Sequence, residues 1–497
     1  MFLLPVTAAL AIWLARLEYR AARGLTLVTS IILLLTSVRL LVLADGTDRW
    51  VHYVGNWPAP FGITWVVDRL AALFAFIQSL LLVAATGMLR SETHGETTAL
   101  RAYPLLLVLA FGLMGAVFTA DIFNLFVMFE VVLITSYLLI QVPGTPRSLK
   151  AGFPNVVINV IAAAFFFAGV GILYGIGGSV NMADLAMRVP DADPFLRLAG
   201  AGMIVTAFVI KAGVLPVTVF WLPATYPTFS GPVAAFFGGM LTKLGIYALI
   251  RTAPILLVPT GLNSVLLWLG GATALIGVLM AFAQYELRRL LSFHIVSQVG
   301  YMAAALSLLT PAGIAAAIFF ALHNILVKSA LYFTADELER ANGTRDLREM
   351  RWYRGGTGVA FIFCVAAFSI AGIPPLSGFF GKLSVFKAVW DETAVGPLAL
   401  LVAASFFTLA SMVKIWQFCF QQVPEARRPA GFEDNRSPAR LIPLLLVTAV
   451  SLAMGAGAGW MSRYSLDAAR QVLDTKGAVK EIIRPEMAIM PEPKEPH

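Results

Sequence analysis

Long apolar runs, cut by charges and by Pro/Gly pairs, dominate the chain, and their spacing predicts an all-α integral membrane protein. One crossing of the hydrocarbon core needs about 20 apolar residues. On that criterion about fourteen transmembrane helices are expected, near 3–15, 25–43, 61–88, 103–120, 122–141, 152–174, 195–215, 229–250, 262–282, 290–309, 312–333, 355–390 (interrupted), 397–420 and 441–460. The apolar N-terminus lacks a basic leader and a small-residue cleavage site, so it is read as the first span.

Basic residues set the direction of threading. Loops after odd-numbered spans hold clusters such as Arg16/Arg20/Arg23, Arg147/Lys150, Arg288/Arg289, Arg340–Arg354 and Arg427–Arg440. Loops after even-numbered spans hold only a few, such as Arg49, Arg188, Arg197 and Arg251. The positive-inside rule then places the odd loops in the cytoplasm and both termini outside.

Charges inside the apolar runs come next, because each costs roughly 2.5–3.5 kcal/mol at the centre of a bilayer on insertion scales. The seventh span carries Lys211 just before Gly213 and Pro216, and the eighth carries Lys243. Proline removes a donor and opens the helix, and open backbone is tolerated at membrane depth only inside protein or beside a wet cavity. Glu130 lies near the middle of the fifth span with no basic residue one turn away, so its partner comes from another helix. Lys211 is the expected partner. At about 4 Å and an effective dielectric near 20 such a pair interacts by about 4 kcal/mol. An opposite charge favours the charged form of an amine, and withdrawing it favours release of the proton.

In the eleventh span, Asn324 and Lys328 share a face, with His323 about 100° round the helix from Asn324. Lys382 follows a second Gly/Pro break, and His294 lies nearer a cytoplasmic end. Histidine titrates near the working pH, which suits both to proton relay. The breaks echo each other: Lys211-Ala-Gly-Val-Leu-Pro216 and Gly372-Ile-Pro-Pro-Leu-Ser-Gly-Phe-Phe-Gly-Lys382 lie five helices apart, as in an inverted repeat. Lys387 and Asp391 have the spacing of a surface pair, Lys414 can snorkel from a helix end, and Asp68 and Asp121 border spans as capping or interface residues.

Composition excludes other classes. Of 497 residues 59% are hydrophobic and only 13% charged, with mean hydropathy +0.81, whereas soluble domains are about one quarter charged. The net charge of +8 falls largely in loops, where it sets topology and is no sign of nucleic acid. Cys364 and Cys419 offer no Cys-x-x-Cys pair, iron–sulfur set or disulfide. No metal cluster, phosphate loop or nucleophile elbow is visible, so neither a metal, a cofactor nor soluble catalysis is expected.

The motifs at Phe123–Val131, Lys211–Pro216, Ser292–Tyr301 and Gly378–Lys382 resemble the antiporter-like subunits shared by Mrp-type cation/proton antiporters, respiratory complex I and membrane-bound hydrogenases. The stretches Glu130–Tyr137 and Val180–Leu185 are most similar to the Mrp D branch of that family. This resemblance implies two inverted five-helix repeats with discontinuous helices seven and twelve. It divides the chain into a three-helix segment (1–102), repeats at 103–250 and 251–421, a last helix (422–463) and a polar tail (464–497). It also implies a Glu130–Lys211 pair, relay lysines Lys243 and Lys328, and a terminal lysine Lys382, with His323 and His294 as relay candidates. Lys382 stands where one complex I type has glutamate, and the adjacent histidines common in the Mrp D branch are His323-Asn324 here.

The implied function is the proton-translocating part of a multi-subunit sodium, potassium or lithium/proton antiporter in a bacterial plasma membrane. Its partners would be subunits like Mrp A, B, C, E, F and G, membrane lipid, protons and monovalent cations, with the cation site mostly elsewhere. The alternatives are a proton-pumping subunit of a redox complex and a mainly structural subunit.

Overall fold

A computed structural model describes residues 1–46, 49–90, 95–350, 357–421 and 441–483. The loop charges Arg351, Arg354, Arg427, Arg428, Arg436 and Arg440 lie outside the described residues. The helices are α1 Leu4–Leu14, α2 Tyr19–Gly46, α3 Arg69–Met88, α4 Glu96–Phe118, α5 Ile122–Gln141, α6 Pro146–Gly177 and α7 Pro194–Ala212. They continue as α8 Gly231–Leu256, α9 Asn263–Phe282, α10 Leu287–Leu306, α11 Pro311–Asn342, α12 Thr357–Ala371, α13 Ser377–Asp391 and α14 Val395–Trp416. The last are α15 Leu441–Ala456, α16 Ala458–Leu473 and α17 Thr475–Ile482.

Every expected span has a helix at its place, but among the described residues ten are long and apolar enough to cross a membrane alone. The others differ for visible reasons. Helices α1 and α12 are shorter, α12 and α13 share one interrupted span, and α10 carries Arg288, Arg289 and a polar His294–Gln298 segment. Burial separates the roles of the rest. Within their apolar windows, α8 and α11 are 94% buried and α2 only 28%, so α8 and α11 form the inner axis and α2 lies on the periphery.

Two expectations need correction. The third span does not begin at Phe61. Residues Trp50–Tyr53 (β1) and Thr64–Val67 (β2) pair antiparallel, Trp50 opposite Val67, and Asp68 then caps α3 by accepting from the Ala71 N–H at 2.9 Å. The run Thr64–Val67 alternates buried and half-buried positions, a strand period hidden inside an apolar stretch.

The polar tail after 463 is the second correction, as far as residue 483. Helix α16 turns 84° from α15 and buries Met461, Tyr464, Ser465, Ala468, Ala469 and Val472, the three-and-four spacing of one helical face. It packs on α11 and α3. Arg49 donates to the Gln471 carbonyl at 2.6 Å and pairs with Glu481 at 3.2 Å, and Tyr53 donates to the Ile482 carbonyl at 2.8 Å.

The two halves repeat local geometry. Helices α5 and α10 are each 20 residues long, and α6 and α11 are each 32. Isolated bridges Asp121–Asn181 and Glu286–Asp346 hold corresponding places beside them. Thr145 and Thr310 cap α6 and α11, which end on left-handed Gly178 and Gly343. The breaks carry the same device, Gly213 at φ 87° and Gly372 at φ 90°, where a side chain would be strained. The lysines do not correspond: Lys211 precedes its glycine on α7, whereas Lys382 lies beyond its glycine on α13.

Candidate functional site

The site is a line of buried polar side chains across α5, α7, α8, α11 and α13. Asp121 starts α5 by accepting from the Asn124 N–H at 2.7 Å, which places Glu130 more than two turns in. Lys211 stands in the last turn of α7, where free carbonyls and the helix dipole favour a cation. Its Nζ is 3.7 Å from Glu130 Oε1, with side-chain exposures of 2% for the lysine and 30% for the glutamate. The pair therefore has one end sealed in the bundle and one on its flank. Phe129 supplies a ring face 5.4 Å from Nζ. Beyond Gly213, the Leu215 N–H donates to Thr273 Oγ1 on α9 at 3.2 Å, which ties the open backbone to its neighbour.

Lys243 is fully buried on α8 and donates to the Gly238 carbonyl of its own helix at 2.8 Å. Its acceptor therefore lies on α8 and not among the free carbonyls of the α7 break. Lys328 is fully buried on α11, and its Nζ has no hydrogen-bond partner among the described residues. It lies within electrostatic reach of both Lys243 and Lys382. Asn324, one turn before it, has neither amide atom partnered among the described residues.

His323 Nδ1 is 2.9 Å from Ser377 Oγ at the start of α13, and His294 Nε2 is 2.6 Å from Ser411 Oγ on α14. Both imidazoles lie within reach of Lys328 and Lys382. Lys382 donates to the Ala371 carbonyl at 3.0 Å and to Ser405 Oγ at 2.9 Å, beside the face of Tyr301. The second imidazole nitrogen of each histidine and both amide atoms of Gln298 lack partners among the described residues. Buried polar atoms without protein partners are where internal water sits. The arrangement can pass protons along amines, imidazoles and water; with charges this far from bulk solvent, it has the features of an ion path.

Outlying expectations also find their places. Lys387 pairs with Asp391 at 2.6 Å on the surface, and Lys414 donates to the Phe282 and Gln284 carbonyls at the end of α9. Asp68 both caps α3 and pairs with Arg251. Sequence reasoning missed the serines, because Ser377, Ser405 and Ser411 acquire meaning only from the imidazole or amine that folding brings to them. It also read Arg251 and Arg288 as loop charges. Arg251 ends in the body of α8, and Arg288 is 2% exposed in the first turn of α10. Their spacing from Lys243 and from Ser292 was the available signal.

Comparisons agree along most of the chain. The NADH:quinone oxidoreductase/Mrp antiporter transmembrane family matches residues 119–409. The D component of the Na+/H+ antiporter of Alkalihalophilus pseudofirmus is 37% identical over 461 residues, which cover 91% of this chain and 92% of that one. The D component of the Na+/H+ antiporter of Bacillus subtilis is 30% identical over 442 residues, 87% and 88% of the two chains. In the solved Mrp complex from Dietzia sp., a chain 30% identical superposes with TM-score 0.88 over 96% of this chain and 97% of that one. A chain of respiratory complex I from Thermus thermophilus shares the fold at TM-score 0.83 and 21% identity, over 95% and 98%.

Proposed function

Because the chain belongs to the NADH:quinone oxidoreductase/Mrp antiporter transmembrane family, we propose that it carries protons within a multi-subunit monovalent cation/proton antiporter of the Mrp type. The observation that carries this reading is the pair of buried Lys211 with half-buried Glu130 at the α7 break, continued by three further buried amines. Proton uptake is assigned near Lys211 and Lys243, transfer passes Lys328 and His323, and exit lies near Lys382, with His294 as a link to the cytoplasm. Moving Glu130 away from Lys211 favours release of the lysine's proton, and its return favours uptake. The partners are the other subunits of such a complex, and the exchanged species are protons and monovalent cations.

The protein is a multi-pass membrane protein. We place it in the bacterial plasma membrane with the arginine-rich loops in the cytoplasm and both termini outside, on the positive-inside rule. The repeated caps, bridges and left-handed glycines support two repeats, which we place at 103–250 and 251–421 after a three-helix segment at 1–102.

The test uses everted vesicles holding the whole assembled complex. Sodium or potassium is added with no respiratory substrate, and collapse of the pH gradient is followed. Wild type responds and Lys211→Ala does not. A wild type that ignores cations yet pumps when fed a reductant replaces this reading with the redox-complex one.

A further inference from the structure

A serine hydroxyl has one proton to donate and two lone pairs, and a neutral imidazole has one N–H and one lone pair. Around the two buried histidines those capacities are filled in opposite ways. His323 is met by serines from three other helices. Its Nδ1 is 2.9 Å from Ser377 Oγ in the first turn of α13. Ser377 Oγ is also 3.2 Å from Ser369 Oγ on α12 and 3.4 Å from Ser451 Oγ on α15. The last of these helices comes this close because it carries Gly455, where a Cβ would lie 2.9 Å from the Ser377 backbone nitrogen. The ring itself leans on α13, since a Cβ at Gly378 would come 2.8 Å from His323 Cε1. The histidine and all three serines are buried.

Among the described residues, the protons of Ser369 and Ser451 have one acceptor, the Ser377 oxygen. The Gly378 N–H donates to Ser369 Oγ at 3.4 Å and takes up a lone pair there, not the proton. Both serine protons therefore point at Ser377 and fill its two lone pairs. The Ser377 proton is left with His323 Nδ1. The neutral ring then carries its hydrogen on Nε2, the atom that has no partner among the described residues. A second proton on the ring would turn Nδ1 into a donor. It would drive the Ser377 hydroxyl back toward Ser369 or Ser451 and strand one of their protons. A buried donor left unsatisfied costs its full desolvation penalty.

His294 is arranged the other way. Its Nε2 is 2.6 Å from Ser411 Oγ, and the Ser411 hydroxyl donates to the Thr408 carbonyl of its own helix at 2.9 Å. With the serine proton directed to that carbonyl, both bonds form only if His294 Nε2 is the donor to Ser411. The Nδ1 lone pair is then open, with no partner among the described residues. A second proton adds at Nδ1 and disturbs neither bond of Ser411.

We propose that both rings rest with their hydrogen on Nε2 and act differently: His294 takes up and releases a proton at Nδ1, whereas His323 stays neutral and offers its Nε2–H to internal water. Uptake at His294 adds one proton to make the imidazolium, and release returns that proton to water. Ser377, Ser369 and Ser451 are positioning residues that act through the His323 ring. The inference rests on the relay reading above and narrows it. Charge is carried by the amines and His294, and His323 orients the water between them. The last helix, outside both repeats, thereby takes part in the site through Ser451.

Glutamine keeps an N–H donor near the place of Nε2 and cannot take a second proton, whereas leucine offers neither. Cation-driven proton flux is compared for the two replacements at each histidine, in vesicles of the assembled complex. His323→Gln is expected to keep about fivefold more flux than His323→Leu, the scale of one hydrogen bond. His294→Gln and His294→Leu are expected to fail alike, by about tenfold or more, as when a proton-transfer group is removed. Flux in His323→Gln as poor as in His323→Leu overturns the division of roles, and so does wild-type flux in His294→Gln. A second measurement does not depend on transport. Solid-state NMR of the complex with isotopically labelled histidine reads which ring nitrogen holds the hydrogen, and the signals lost in the two Gln variants identify the rings. Both rings should show a protonated Nε2 and a bare Nδ1, and Ser377→Ala should let Nδ1–H appear at His323 alone. Nδ1–H at His323 in the wild type overturns the serine arrangement. Unimpaired flux in Lys328→Ala and Lys382→Ala brings down the relay reading and the transport roles with it, while the NMR pattern still decides the positions of the hydrogens.

Discussion

The two helix breaks use the same backbone device and hold their lysines differently. At the first, Lys211 sits before Gly213 and faces a carboxylate, Glu130, at 3.7 Å. At the second, Lys382 sits beyond Gly372 and is held by neutral acceptors, the Ala371 carbonyl at 3.0 Å and Ser405 Oγ at 2.9 Å. The glycines differ too. A Cβ at Gly372 would come 2.9 Å from Lys382 Cδ, so that glycine also makes room for the lysine stem. A Cβ at Gly213 meets Leu222, Thr218 and Thr242 instead. The same backbone device thus serves two electrostatic settings, a charge pair at the first break and a cradle of neutral acceptors at the second.

That contrast can be broken at several points. After Lys211→Ala, the largest effect is expected for Lys382→Ala, which removes the amine that the second cradle holds and should lower cation-driven proton flux by about a hundredfold, within the range for a positioned proton-transfer group. Glu130→Gln keeps the shape of the first pair and removes its charge. A loss of about tenfold is expected, equivalent to roughly 1.4 kcal/mol, with Glu130→Asp closer to wild type. Wild-type flux in Glu130→Gln would make the two breaks electrostatically alike. Gly372→Ala should cost several-fold in flux or in assembled complex, since a left-handed side chain costs roughly 1–3 kcal/mol and the methyl pushes on Lys382. Immunoblotting of the purified complex separates those two losses. Ser405→Ala should be mildest, about threefold, because the Ala371 carbonyl still accepts from Lys382 and one net hydrogen bond contributes roughly 0.5–1.5 kcal/mol.

The sequence was most readable where charge breaks an apolar run. Lysines at 211, 243, 328 and 382 and the carboxylate at 130 stand out because the membrane makes each costly, and the structure buries all four amines. The Glu130–Lys211 pairing was expected and is present. Legibility fell at the edges of the membrane, where the same residue types serve loops and helix ends equally well. Arg251 and Arg288 were counted as loop charges, yet Asp68 on a distant segment and Asp336 and Glu339 on α11 draw them into the bundle. The hairpin before α3 was hidden inside an apolar stretch, and the stripe of α16 was hidden by its overall polarity. In each case the missing information was a tertiary partner far away in sequence.

The central claim is that Glu130 and Lys211 act as one proton-handling unit, and a double-mutant cycle tests it most directly. Cation-driven proton flux would be compared in assembled vesicles for Glu130→Ala, Lys211→Ala and the pair together. If the two residues work as a unit, the double variant transports no worse than Lys211→Ala alone, because the carboxylate has nothing left to act on. Losses that multiply, or a Lys211→Ala variant with wild-type flux, would contradict the account.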